Sequence, residues 1–143
     1  MKLIQLSLFL ENKPGNLCHA CRMLADANIN IETMALADTE QFGILRVLVK
    51  DWKRAQEVFE QNNVVVRVTE VIAAVVPHQP GGLAGILDII DAAGLNIEYM
   101  YGFNFEREDG AIIVFRFENP DAALHALKAK DVKIIGNVEL FGK

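Results

Sequence analysis

The sequence predicts an α+β fold built from two copies of one β-α-β-β-α-β module. Three observations carry that prediction: an internal repeat, strand-like alternation opening the chain, and helix stops at matching positions. Aligning Pro14-Gly15 with Pro80-Gly81 sets an offset of 66 residues, which also brings Leu17 onto Leu83 and Met34 onto Met100. Asn30-Ile31-Glu32 then meets Asn96-Ile97-Glu98, giving eight identities in the twenty-two positions 14–35 without a gap. Chance at average residue usage gives about one or two.

Each element of the module has a local cause. Ile4, Leu6, Leu8 and Leu10 alternate with Gln5, Ser7 and Phe9, the pattern of a half-buried strand. Pro14 and Gly15 break it. Leu17, Cys21 and Leu24 recur at helical spacing, as do Leu83, Leu87 and Ile90 in the second copy, and this stripe is expected to face the sheet. Asn28 and Gly94 stop the two helices, being residues that tolerate the left-handed conformation past a helix end.

Ile29–Leu36 and Ile44–Lys50 read as the next two strands, and Asp109-Gly110 is a hairpin signal in copy two. Asp51 caps the second helix, which turns Trp52, Ala55 and Phe59 inward; Asn119 caps its counterpart, with Pro120 at the first helical position. Final strands fall near Val64–Val71 and Val132–Phe141. Pairing Leu45-Arg46-Val47 with Phe115-Arg116-Phe117 lengthens the offset to 70, with four extra residues around Glu106–Gly110, and Ala55 and Ala123 return it to 68. Insertions belong in loops, where these shifts fall. Such modules are ferredoxin-like: a four-stranded antiparallel sheet with both helices on one face. The expected division is 1–70 and 71–143, with no Gly/Pro/Ser linker between. Val64–Val76 would reach ~43 Å if extended at ~3.3 Å per residue, longer than one small sheet needs. It either bends or passes directly from one sheet to the next, so the modules are expected to be held rigidly.

Composition narrows the function. The 143 residues are 52% hydrophobic and 23% charged, with a net charge of −5, which excludes a disordered chain. A mildly acidic chain without a basic block is a poor nucleic-acid binder. Val64–Val76 carries Arg67, Thr69 and Glu70 and is too short to span a bilayer, so no membrane association is expected. Leu3–Leu10 is interrupted by Gln5 and Ser7 and no small-x-small cleavage site follows, so a cytoplasmic protein is expected.

The residues Leu10-Glu11-Asn12-Lys13-Pro14-Gly15-Asn16-Leu17, followed after the helix by Ala27-Asn28-Ile29-Asn30-Ile31, resemble the ACT domain. That module senses amino acids in many biosynthetic enzymes. Pro80-Gly81-Gly82-Leu83 and Ala93-Gly94-Leu95-Asn96-Ile97 repeat the resemblance, which covers nearly the whole chain as two tandem modules. It implies a small ligand, an amino acid above all, bound where two modules meet, beside the loop after the first strand. Carried over by position, the implied ligand-binding residues are Asn12, Gly15, Asn16, Leu17 and Asn30. In copy two they are His78, Gly81, Gly82, Leu83 and Asn96. His78 stands where copy one has Asn12, which favours copy one: a carboxamide meets an ammonium and a carboxylate together, whereas a protonated imidazole repels the ammonium.

The resemblance further implies no catalysis and no cofactor, a homodimer, and as an alternative a regulatory subunit of a biosynthetic enzyme such as acetolactate synthase. The rival from another class is a thiol oxidoreductase at Cys18-His19-Ala20-Cys21, since redox dithiols sit at a helix start. Copy two has Ala84 and Leu87 at those places, which makes Cys21 a core position. No second C-x-x-C or His pair supports a metal site, and no P-loop, G-x-S-x-G or G-x-G-x-x-G is present.

Overall fold

A computed structural model of the chain describes residues 1–39, 41–103 and 110–142. Its elements run β1 (Leu3–Glu11), α1 (Asn16–Asp26), β2 (Thr33–Thr39), β3 (Phe42–Leu48), α2 (Trp52–Gln61) and β4 (Val65–Val76). Then come α3 (Gly82–Ala92), β5 (Ile97–Phe103), β6 (Ala111–Phe117), α4 (Pro120–Ala129), β7 (Ile134–Ile135) and α5 (Asn137–Phe141). Two units divide the chain: Ile4–Thr69, and Met1–Leu3 with Glu70–Gly142.

In the N-terminal unit, β3 lies antiparallel between β1 and β2. Leu6 faces Val47, Leu8 faces Leu45 and Leu10 faces Gly43 across the β1–β3 ladder. Both helices cover the same face, because Ala20, Met23 and Leu24 of α1 and Ala55 and Phe59 of α2 share one core with Leu6, Leu8, Leu45 and Val47. Val64 and Val66, at the start of β4, pack against it. The opposite face is buried at Gln5 and Ser7 as well, joined by a 2.9 Å hydrogen bond from Gln5 Nε2 to Ser7 Oγ. The half-buried strand expected from alternation is therefore buried on both faces over these residues, and the two polar side chains satisfy each other there.

The C-terminal unit repeats this plan. Antiparallel β4, β6 and β5 lie in that order, with β7 paired to the other edge of β4. Ile72, Phe115 and Phe117 share a core with Ile86 and Ile90 of α3 and Ala123 and Leu127 of α4. Lys2 Nζ holds Glu70 and Asp121, each at 2.8 Å.

The helix boundaries follow the residues named for them. Asp51 and Asn119 accept hydrogen bonds from the backbone N–H groups of Arg54 and Ala122, and Pro120 opens α4. Asn28 and Gly94 are left-handed, with φ of 57° and 68°, and the next residue's N–H reaches back to Leu24 and Ile90. Asn63 and Asp131 end α2 and α4 the same way, with φ of 61° and 58°, a stop the sequence reading did not assign.

Four expectations are corrected. The core-facing row of the first helices is Ala20 and Leu24, matched by Ile86 and Ile90. Leu17 is 38% exposed and Cys21, Leu83 and Leu87 only half-buried. Spread-out apolar residues let the buried stripe rotate by one position, about 100°. The first-repeat strand begins at Thr33 rather than Ile29, because Ile29 is spent closing the α1 stop. Residues 137–141 form α5, and β7 keeps two residues of the expected last strand. Finally, Leu6 faces Val47 where Ile72 faces Phe115, so β3 and β6 are related by 68 residues, not 70. A slip of two leaves every side chain on its face, so the hydrophobic pattern alone does not exclude it. Two residues, not four, are then extra between β5 and β6. The turn expected at Asp109 lies outside the described residues.

Candidate functional site

The loop between β1 and α1 is fixed by its own backbone. Asn12 N–H donates to the Gln41 carbonyl at 2.9 Å, and Lys13 N–H to that of Glu11 at 2.8 Å. Gly15, at φ 92°, turns the chain into α1, which starts without a side-chain cap. Asn16 instead sends its side-chain amide back to the Glu11 carbonyl at 2.9 Å. This hydrogen bond sets the helix start one side chain away from the end of β1.

Beside that loop lies a cavity of about 290 Å³. Glu11, Asn12 and Lys13 line it, together with Leu10, Leu17 and three residues of the β2–β3 hairpin: Leu36, Ala37 and Gly43. A second cavity, about 480 Å³, flanks the same loop and is lined by Asn16, His19, Phe42 and Asn63 among others. Glu11 and Lys13 form an ion pair at 2.7 Å, both well exposed. The Lys13 ammonium holds the Glu11 carboxyl below the usual carboxylate range, and Glu11 raises Lys13 in turn, first through their hydrogen bond and then through charge. Both groups keep their charges near neutral pH.

Of the residues assigned to copy one, Asn12 and Leu17 meet on the smaller cavity and Asn16 lines the larger. Gly15 supplies the turn, and Asn30 is exposed and lines neither. The β2–β3 hairpin contribution was missed. The alternation around Leu36 and Gly43 was available, but only the strand register shows that both lie next to Leu10.

Copy two differs in build. Gly82 stands where Asn16 does, and a Cβ there would run into the Pro77 carbonyl oxygen and lie 2.9 Å from its carbon. The turn before α3 is closed directly onto the strand end. Gly81 has φ 84°, matching Gly15, and Leu83 is half-buried against the core. His78 and Asn96 are exposed, and none of these five residues lines either cavity. Pro77 and Gln79 replace the charged Glu11 and Lys13.

Cys18 is exposed and Cys21 half-buried, and burial, then Cys18, pushes the Cys21 thiol up, so Cys21 itself is not a lowered, reactive thiol. Among the described residues no three His, Cys, Asp or Glu side chains cluster as metal ligands. No described helix is long and apolar enough to cross a membrane.

Comparison with known proteins adds the following. A family model described as an ACT domain pair matches residues 1–142. The crystal structure of protein BT0572 from Bacteroides thetaiotaomicron superposes with a TM-score of 0.91 at 37% identity, over 100% of this chain and 98% of that one. The ligand-free regulatory subunit of aspartate kinase from Thermus thermophilus gives a TM-score of 0.62 at 18% identity, over 88% and 91% of the two chains. A putative C-terminal regulatory domain of aspartate kinase from Porphyromonas gingivalis W83 gives 0.51 at 15%, over 98% and 93%. At those last two identities the likeness is one of fold. No curated protein matches in sequence.

Proposed function

Because this chain belongs to the ACT domain-pair family, whose modules are typical of ligand-binding regulatory proteins, we propose that it binds a free amino acid at the β1–α1 loop of its first module. It acts by linkage and not by catalysis: occupancy favours one arrangement of the protein over another, and a partner reads the difference. The partner is a second copy in a cytoplasmic homodimer or a biosynthetic enzyme that the chain regulates, acetolactate synthase being one example.

One observation carries the choice of loop. Copy one sets Glu11, Asn12 and Lys13 on a cavity and holds its helix start away from β1 with Asn16, whereas copy two closes Gly82 onto Pro77. An amino acid presents an ammonium and a carboxylate about one residue apart. Glu11 suits the first and Lys13 the second, and Asn12 can accept from one and donate to the other. The uncapped start of α1 adds a positive dipole end for the carboxylate.

A thermal-shift screen of the common amino acids tests the binding. Ligand at ~100 times its dissociation constant adds about 2.7 kcal/mol of stability. Calorimetry with the amino acid so found then tests the site. Asn12→Ala should weaken binding by about 5- to 150-fold, the equivalent of 1–3 kcal/mol for ligand groups left unpaired, while His78→Ala leaves it unchanged. Loss of binding in His78→Ala alone would move the site to copy two. A screen in which no amino acid shifts the midpoint would remove the reading.

A further inference from the structure

The helix-facing row of β3 runs Val47, Leu45, Gly43. Val47 and Leu45 are buried opposite Leu6 and Leu8, while Gly43 presents no side chain opposite Leu10. The 290 Å³ cavity lies at this bare position. Leu10, Leu17, Leu36 and Ala37 form its apolar lining beside Gly43, while Glu11, Asn12 and Lys13 are consecutive and carry both signs of charge. Among the described residues the hollow is found in copy one. By strand register the Leu10–Gly43 pair corresponds to Val76–Ala111, which adds a methyl at the bare position. Leu36 corresponds to Gly102, since Leu36 faces Leu45 where Gly102 faces Ile113.

We propose that this cavity receives the side chain of an aliphatic amino acid of valine to leucine size, with Gly43 setting the upper limit. The inference rests on the amino-acid reading above and narrows it to one class of side chain. A lysine side chain would bring a second ammonium among leucines, with Glu11 already engaged by the ligand's own amine and no second carboxylate among the described lining residues to pair it. Aspartate would add a second carboxylate for which Lys13 is the one cation among the described lining residues. Glycine would leave the hollow empty and its walls without contacts. Aromatic side chains are limited by size: 290 Å³ is at the low end for ligand cavities and must hold the whole molecule.

Gly43 also gives a clean test. A Cβ built there would sit 3.4 Å from Leu36 Cδ1 and 3.8 Å from the Ala37 carbonyl, ordinary contacts, and the residue is not left-handed. Gly43→Ala therefore removes one methyl of room without straining the backbone. Calorimetry on the full chain with valine, leucine, lysine, threonine, aspartate and phenylalanine should find valine or leucine bound most tightly. Gly43→Ala should weaken leucine by about tenfold or more, in the range set by one methylene in an apolar pocket, and valine by less. Leu36→Ala should narrow the gap between leucine and phenylalanine, and it serves as the second variant if Gly43→Ala melts early by circular dichroism. Tightest binding of lysine, aspartate or threonine overturns the inference and leaves the amino-acid reading standing, as does unchanged leucine affinity in both folded variants. Binding of no amino acid overturns the reading beneath it, and the inference with it.

Discussion

Two glycines in one helix should respond to alanine with opposite signs. Gly82 opens α3 and Gly85 lies one turn on; both are helical, so propensity alone makes Gly→Ala favourable by roughly 0.5–1 kcal/mol at an interior position. Surroundings separate them. Gly85 is exposed, with nothing within 4 Å of a built Cβ, so Gly85→Ala should stabilise by about that amount. At Gly82 the added carbon collides with the Pro77 carbonyl oxygen and lies 2.9 Å from the carbonyl carbon and 3.3 Å from the Pro77 Cβ. Ordinary carbon contacts are ~3.5–4.0 Å, so the helix start or the strand end must retreat by about 1 Å.

The carbonyl oxygen and carbon are backbone and the Cβ belongs to a rigid proline ring, so none is a flexible side-chain tip. One inserted methyl in a filled site costs about 1–3 kcal/mol. Retreat also stretches the 3.0 Å hydrogen bond from Gly82 N–H to the Gln79 carbonyl, worth about 0.5–1.5 kcal/mol. Less the small gain in propensity, Gly82→Ala should destabilise by about 0.5–4 kcal/mol. Thermal melts by circular dichroism read both: about 2–30 °C lower for Gly82→Ala and about 2–8 °C higher for Gly85→Ala, at ~4–8 °C per kcal/mol for a unit the size of the C-terminal one. If Gly82→Ala melts with the unaltered protein, the strand end is not closed onto α3, and the argument that copy two lacks room at this loop fails with it.

Three further outcomes test the helix face and the cysteines. Ile90→Ala, at a residue 3% exposed, should cost about 2–5 kcal/mol in urea denaturation, and Leu87→Ala, half-buried, distinctly less; the reverse order would restore Leu87 to the core row. Iodoacetamide followed by mass spectrometry should label exposed Cys18 ahead of Cys21, whose thiol is raised by burial. A raised folded-state pKa means that stability is fully present below the unfolded thiol value near 8.5 and is lost as pH rises through the higher folded value. Cys21→Ala should therefore flatten the alkaline side of the melting profile, and an identical profile in both proteins would refute the assignment.

Much of the fold was legible because it is local and occurs twice. Asp51 and Asn119 cap, Asn28 and Gly94 stop, and Pro120 opens a helix through interactions with residues a few positions away. The failures share a different cause. Asn137-Val138-Glu139-Leu140 alternates as a strand would, yet forms α5, burying Leu140 and leaving Val138 exposed, and no local preference decides that outcome. α1 offers Leu17, Cys21, Met23 and Leu24 as apolar candidates, and the choice among adjacent stripes is made by the sheet beneath.

The site was legible in its loop and not in its wall, and register explains the difference. Asn12, Asn16 and Leu17 could be named for the proposed site because the ACT resemblance places them around a Pro-Gly turn before a helix, which marks its own position in the sequence. Leu36 and Gly43 are seven residues apart and nothing in that spacing joins them to Leu10; the join is the ladder that sets Leu10 opposite Gly43 and Leu36 opposite Leu45. The repeat signal, strong over 14–35, weakens where the copies differ: Leu36 against Gly102, Phe42 against Gly110, Asn16 against Gly82. Matching residues mark what both modules need to fold. A pocket that, among the described residues, one copy holds has to be written in residues that do not match, so an argument from identity between copies passes over the positions that shape it.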